Sequence, residues 1–200
     1  MYSQNNEEKY ILNYFRKLKG TFLDLGANDG ITFSNTRALA DRGWKGVLVD
    51  ASPKAFAQLK ANYAGREGLH LFNLALTKDG GEVTFMESGP LINDNDIGLV
   101  STFKGSEVER FYKTVEYEEI IVNSVQWEQF LELSPIKEFD FISMDIEGSE
   151  LDVLPYMDLS KTRMLCIENN GREDLKLAYE KYLKGFNLIH RTPENLIYAR

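Results

Sequence analysis

Apolar residues recur along this chain at changing spacings, and each change marks an element. Tyr10, Ile11, Tyr14, Phe15 and Leu18 fall three or four apart, and Asn5 precedes Glu8 by three, as in a capping box. This pattern predicts an amphipathic lead-in helix over residues 5–19, closed by Gly20. Short continuous apolar runs predict strands at 21–25 and 46–50, apolar throughout as strands covered on both faces must be. Helices are predicted at 32–42, ended by Gly43, and at 53–63, where Pro53 suits a first turn. A third strand follows at 70–76. This alternation predicts a doubly wound, mostly parallel α/β sheet with helices on both faces.

The middle breaks that rhythm. Gly80-Gly81 and the alternating residues 82–86 predict a hairpin arm, paired with the β-branched run 118–122. The polar and aromatic stretch 87–116 is longer than an ordinary connection, so the insertion at about 80–122 is expected to act as a lid or substrate-binding element. Alternation then resumes with strands at 139–144 and 164–167 around a helix at 149–156, a helix at 174–183, and closing strands at 186–189 and 195–199. The last strand is expected to run antiparallel.

Composition fits one globular domain over residues 1–200, at 43% hydrophobic and 27% charged with 15 Gly and 5 Pro. No apolar run nears the roughly 18 to 20 residues that span a bilayer, so no membrane insertion is expected. The opening residues lack the basic start and apolar core of a secretory signal, which makes a cytoplasmic location the expectation. Cys166 is the single cysteine, set between Leu165 and Ile167, which excludes an internal disulfide and a thiolate metal cluster. A net charge of −8, with no basic block longer than Arg16-Lys17-Leu18-Lys19, argues against a nucleic-acid partner.

Candidate chemistry gathers at the predicted strand ends. Asp24-Leu25-Gly26-Ala27-Asn28-Asp29-Gly30 follows the first strand, where glycines permit a tight turn and close ligand approach and a following helix would present free amides. A dinucleotide fingerprint would carry glycine where Asp24 stands; a carboxylate there repels pyrophosphate and favours an ammonium group, such as the amino-acid end of S-adenosylmethionine. Asp50, 20 residues after Gly30, stands where an acid accepts hydrogen bonds from ribose hydroxyls. The plainer alternatives are a structural turn at Gly26 and Gly30 and a helix-capping role for Asp50 before Pro53. Asp145, Glu147 and Glu168 follow two further strands, and acids meeting at one sheet edge raise each other's pKa toward that of a general base. They could equally hold a divalent ion, although no metal ligand is assigned; for Glu147 and Glu150 the alternative is electrostatic support of a helix N-terminus. Phe103, Phe111, Tyr112 and Tyr117 are candidates for stacking on a sugar, Ser101 and Thr102 for positioning a ligand, and His190 for a rim base, whereas His70, Trp44 and Trp127 read as structural.

These motifs together resemble the FkbM family of S-adenosylmethionine-dependent methyltransferases over nearly the whole chain. The resemblance is carried by residues 22–30, Asp50 with Ser52-Pro53, Asn73-Leu74-Ala75-Leu76, Asp145-Ile146-Glu147-Gly148-x-Glu150 and Ile167-Glu168, with Tyr2-Ser3-Gln4, Ser34-Asn35-Thr36 and Gly43-Trp44-x-Gly46 resembling one subgroup. Asp50 departs from the glutamate usual in the family. The resemblance implies a class I methyltransferase, Rossmann-like seven-stranded fold, with cofactor held by Asp24, Gly26, Asn28, Gly30, Asp50 and Asp145 and adenine near Asn73 and Ala75. It further implies O-methylation; the acidic net charge favours a sugar, neutral glycan or small metabolite as acceptor, and a base must take the hydroxyl proton, for which Asp145 and Glu147 are the candidates, with Glu168 third. Two other readings remain, a non-catalytic binding module and a nicotinamide-dependent oxidoreductase, the latter disfavoured by Asp24.

Overall fold

The structure is a computed structural model that describes residues 1–16, 18–91, 98–111 and 113–200. Lys17, residues 92–97 and Tyr112 lie outside the described residues, and with them the expectation for Tyr112 and part of the long insertion. The first half runs α1 (Glu7–Phe15), β1 (Thr21–Leu25), α2 (Arg37–Asp41), β2 (Lys45–Asp50), α3 (Pro53–Asn62), β3 (Leu69–Asn73), β4 (Ala75–Leu76) and β5 (Gly81–Ser88). The second half runs α4 (Gly105–Phe111), β6 (Tyr117–Val125), α5 (Trp127–Leu133), β7 (Phe141–Met144), α6 (Glu150–Val153) with a 3-10 turn at Leu154–Tyr156, β8 (Met164–Glu168), α7 (Glu173–Glu180), β9 (Asn187–Arg191) and β10 (Asn195–Ala199).

Seven strands form the main sheet in the order β3-β2-β1-β7-β8-β10-β9. Pairing is parallel from β3 through β8, and β10 runs antiparallel to both β8 and β9. The predicted α/β class and the antiparallel final strand are therefore present. Alternate side chains along the strands enter two cores. Phe22, Leu48, Phe141 and Cys166 pack with Ile11, Phe15, Leu39 and Leu59 from α1, α2 and α3. Leu23, Val47, Ile142 and Leu165 pack on the opposite face with Trp127, Phe130 and Tyr179 from α5 and α7. Burial on both faces is why these strands read as unbroken apolar runs.

Several predicted boundaries are corrected. The lead-in helix is shorter than 5–19: Arg16, at φ 49, turns the chain after Phe15. Its capping box does not form, because Asn6 rather than Asn5 precedes the helix, in a left-handed conformation without a side-chain cap, and the Glu8 amide donates to Ser3 Oγ instead. The helix expected over 32–42 is only Arg37–Asp41, because Asn35 and Thr36 are drawn into side-chain bonds with the sheet and Thr32 and Ser34 into local ones. The strand expected at 70–76 divides, since β4 leaves the main sheet to join β6 and β5 in a second, three-stranded one. There β5 and β6 pair antiparallel, with Met86 opposite Glu119, so the expected hairpin arm is present and longer than predicted. The stretch read as loop contains α4, and α5 was not anticipated.

Between β1 and β7 the chain order reverses, and a crevice opens beyond the carboxyl ends of such strands. Asp24, Asp50, Asp145 and Glu168 all stand at those ends. Among the described residues, no helix is long and apolar enough to cross a membrane.

Candidate active site

The turn after β1 owes its glycines to the protein's own packing. Gly26 has φ +80, and a Cβ there would lie 1.7 Å from the carbonyl oxygen of Asp145. Gly30 has φ +73 and faces the Tyr63 ring, with a Cβ–ring distance of 2.3 Å, while the Tyr63 hydroxyl donates to its carbonyl at 3.1 Å. The missing Cβ of Gly26 thus admits a neighbouring backbone and that of Gly30 a tyrosine. No helix follows the turn directly, and Asp29 itself accepts the amides of Ile31 and Thr32 at 2.8 and 2.7 Å.

Asp24 is buried, and burial pushes its carboxyl up to about 7, against the lowering effect of Thr36, whose hydroxyl donates to Oδ2 at 2.5 Å. The Asp50 carboxyl is pushed up to about 6 by burial, opposed by the amides of Asn28 and Ser52, which donate to it at 2.7 and 2.9 Å. The cap of α3 is Ser52, whose Oγ accepts the Ala55 amide at 3.1 Å, with Asp50 bracing it from behind.

Three carboxylates converge at the rim as the strand-end positions predict. Oxygens of Asp145, Glu147 and Glu168 all lie within 4.8 Å of one another, a spacing that one ammonium group or one divalent cation can neutralise. Burial first, then the charge of Asp24, pushes Asp145 up to about 7. Glu147 and Glu168 are raised well above the usual carboxylate range by burial and then by the charge of Asp145. The Asn170 amide donates to Glu168 at 2.6 Å, whereas Glu147 Oε2 is buried without a hydrogen-bond partner. Glu150 turns back onto the amides of Ile146 and Gly148 at 3.1 and 3.4 Å, and burial pushes it up to about 7. The Thr102 hydroxyl donates to the Glu147 carbonyl at 2.7 Å and so ties the insertion to this rim.

These groups open into a cavity of about 320 Å³. Of the residues singled out by sequence, Asp24, Gly26, Asn28, Asp50, Ala75, Asp145, Glu147 and Glu168 line it, together with Ser101, Phe103 and Phe111 from the insertion. Gly30 and Asn73 do not; the Asn73 amide instead donates to the carbonyls of Asp50 and Ala51 at 2.9 and 3.1 Å and fixes the end of β2. Tyr117 is turned away, its hydroxyl donating to the Val100 carbonyl at 3.3 Å. His190 is removed as a rim base, since it stacks on Tyr10 at 3.6 Å outside the cavity. Gln4, Asn35, Arg110, Asn170, Glu194 and Asn195 also line it. Of these, Gln4 and Asn35 lay in motifs marked by sequence; the others reach the cavity through folding contacts that no local pattern signals.

Chemically the cavity is rich in acceptors and poor in donors. Arg110 is the one lysine or arginine among its described lining residues, and Asn35 Oδ1 and Glu147 Oε2 are both buried without partners. Such a donor set suits a ligand carrying positive charge and N–H or O–H groups.

The family profile described as "Methyltransferase FkbM domain" matches residues 24–187. No curated protein matches the chain significantly. Among solved structures, the O-methyltransferase from Bacillus cereus in complex with SAH superposes with a TM-score of 0.55 at 13% identity, covering 99% of this chain and 82% of that one. Ribosomal protein L11 methylase from Lactobacillus delbrueckii subsp. bulgaricus gives 0.52 at 14% identity, over 97% of this chain and 77% of that one. A putative RNA methyltransferase from Pyrococcus horikoshii gives 0.52 at 11%, over 100% and 87%. At these identities the likeness is one of fold.

Proposed function

From the premise that this chain belongs to the methyltransferase FkbM domain family, with S-adenosylmethionine as its cofactor, we propose that it methylates a hydroxyl of a sugar, glycan or small metabolite. Residues 1–200 act as one domain in this reading. The observation that carries it is the convergence of Asp145, Glu147 and Glu168 within 4.8 Å on the cavity wall, buried or half-buried and raised in pKa.

The residues present fit the cofactor. Its sulfonium and ammonium groups are positive, and the cavity offers Asp24, Asp50 and Asp145 with two unpartnered acceptors. Asp24 would hold the ammonium group and Asp50 the ribose hydroxyls, with Asn28 and Gly26 shaping the turn. Ala75 would lie against the adenine while Asn73 holds the end of β2. When bound, the cofactor supplies a methyl carbon that parts from sulfur as an attacking oxygen bonds to it. The protein aligns the acceptor oxygen with that carbon and removes the hydroxyl proton. A carboxylate raised in pKa is matched to this task, because its ionised form is a stronger base than an ordinary carboxylate. Glu168, oriented by Asn170, and Glu147, without a partner, are the nearest bases, with Asp145 between them and the cofactor site.

The acceptor side supports a hydroxyl-rich, largely uncharged partner. Gln4, Asn170 and Asn195 offer hydrogen bonds, and Phe33 and Phe111 offer apolar faces for a sugar ring. In this reading the insertion walls the acceptor, held to the rim through Thr102.

The test is transfer of labelled methyl groups to a panel of methyl glycosides, with Asp145→Asn, Glu147→Gln and Glu168→Gln beside the wild type. At least one variant should lose about 10²- to 10⁴-fold in kcat, the range of a positioned base. For Glu147→Gln and Glu168→Gln the affinity for S-adenosylhomocysteine should change less than threefold, where ~3 is far below that catalytic range. Labelling confined to amines or nucleic acid, or full activity in all three variants, contradicts the proposal.

A further inference from the structure

The segment Ser34-Asn35-Thr36 has no part in the reaction proposed above, yet the structure fixes it from several sides. The Ser34 hydroxyl accepts the amides of Thr36 and Arg37 at 3.3 and 3.0 Å. Thr36 donates to Asp24 on β1, and the Asn35 amide donates to Ser143 Oγ on β7 at 3.2 Å and rests 3.6 Å from Cys166 Sγ on β8. Phe33, just before it, holds φ 55, a left-handed conformation rare for a bulky residue, and is bridged to Ser3. Conformations held this way against local preference concentrate at ligand clamps.

Asn35 is buried and lines the cavity, and with its amide nitrogen engaged by Ser143, its Oδ1 has no hydrogen-bond partner. Of the buried side-chain polar atoms without a partner among the described residues, only Asn35 Oδ1 and Glu147 Oε2 belong to cavity-lining residues. A buried carbonyl oxygen is normally paired, so a donor is missing at this point. Asp24, Ser143 and Asp145 share this part of the wall, and the carboxylates among them favour a donor that is also a cation.

We propose that Asn35 is a further cofactor-binding residue, whose Oδ1 accepts an N–H of the ammonium group of S-adenosylmethionine while Ser143 and Thr36 hold the segment in place. This rests on the cofactor site described above. It assigns the amino-acid end of the cofactor a neutral acceptor beside the carboxylate of Asp24, so that the ammonium is bound by geometry as well as by charge.

Calorimetric titration with two ligands tests it: S-adenosylhomocysteine, and 5′-methylthioadenosine, which lacks the amino-acid end. Asn35→Ala should weaken S-adenosylhomocysteine about tenfold or more, the loss of one hydrogen bond to a charged group. Its affinity for 5′-methylthioadenosine should be unchanged. Asn35→Asp keeps an acceptor oxygen and should bind S-adenosylhomocysteine much better than Asn35→Ala, and it serves as the folded comparison should the alanine variant fail to melt cooperatively. The proposal is overturned if Asn35→Ala binds S-adenosylhomocysteine like the wild type, which would leave only a buried water at Oδ1. Equal weakening of both ligands, which marks a structural role, also overturns it, as does an Asn35→Asp variant as weak as the alanine one. Asp50→Ala should weaken both ligands; a wild type that binds neither removes the cofactor site itself, a failure distinct from that of Asn35.

Discussion

Asp24 and Asp50 sit on adjacent strands and differ in what they already hold. Asp50 is committed to two backbone amides, so its charge is largely spent inside the protein, whereas Asp24 accepts from one hydroxyl. A buried carboxyl raised to about 7 costs the folded state stability whenever it ionises. Asp24→Asn should therefore raise the melting temperature of the ligand-free protein at pH 8, by roughly 2–4 °C for each kcal/mol recovered. The same variant should weaken S-adenosylhomocysteine binding, the familiar exchange of function for stability; a melting temperature that falls while affinity holds would contradict this role. Sequence marked both acids through strand-end position, motif spacing and family resemblance, as it did Asp145, Glu147 and Glu168. It could not mark the missing partner of Asn35, because an unpaired atom exists only once Ser143 has claimed the other half of the amide.

At the scale of elements, the strands were readable because both faces are buried, and the segment 32–36 was misread because its side chains compete with the helix. Serine, asparagine and threonine can satisfy backbone or neighbouring groups outside a helix, and here Ser34, Asn35 and Thr36 all do so. The glycine loop was located correctly, but the reason for Gly26 lay in Asp145, far away in sequence. Gly26→Ala places a Cβ 1.7 Å from the Asp145 carbonyl at a positive φ. The expected cost is about 3 kcal/mol or more, within the range for forbidden backbone and core overpacking. Chemical denaturation would measure it, and a loss below about 1 kcal/mol would mean that the β1 and β7 loops part easily. Thr102→Val removes the donor from the Glu147 carbonyl and should cost about 1–3 kcal/mol as a buried acceptor loses its partner.

On the scale of the whole molecule, several carboxyl groups in and beside the cavity are raised together. Asp24, Asp145 and Glu150 reach about 7 and Asp50 about 6, Glu147 and Glu168 are raised by burial and by Asp145, and Arg110 is the one lysine or arginine among the described lining residues. A raised carboxyl binds its proton more tightly folded than unfolded, so between its ordinary value and its raised one the folded state holds more protons. Stability of the ligand-free protein is then greatest at the acid end of that window and falls as pH rises from about 4 to about 7, the span of these shifts. A cationic ligand needs the ionised forms, so S-adenosylmethionine should raise the melting temperature more at pH 8 than at pH 5.5. Differential scanning fluorimetry across this range would show both trends, and a ligand effect that shrinks with pH would contradict the electrostatic account.

Thermal denaturation with and without S-adenosylmethionine, in the wild type and in Asp50→Ala, tests the central claim most directly. At a ligand concentration 100 times its dissociation constant the wild type should gain about 2.7 kcal/mol, or about 5–10 °C, and Asp50→Ala should gain almost nothing. A wild type that melts at the same temperature with and without the cofactor, or a variant that is stabilised as fully as the wild type, would contradict the placement of the cofactor in this acidic crevice.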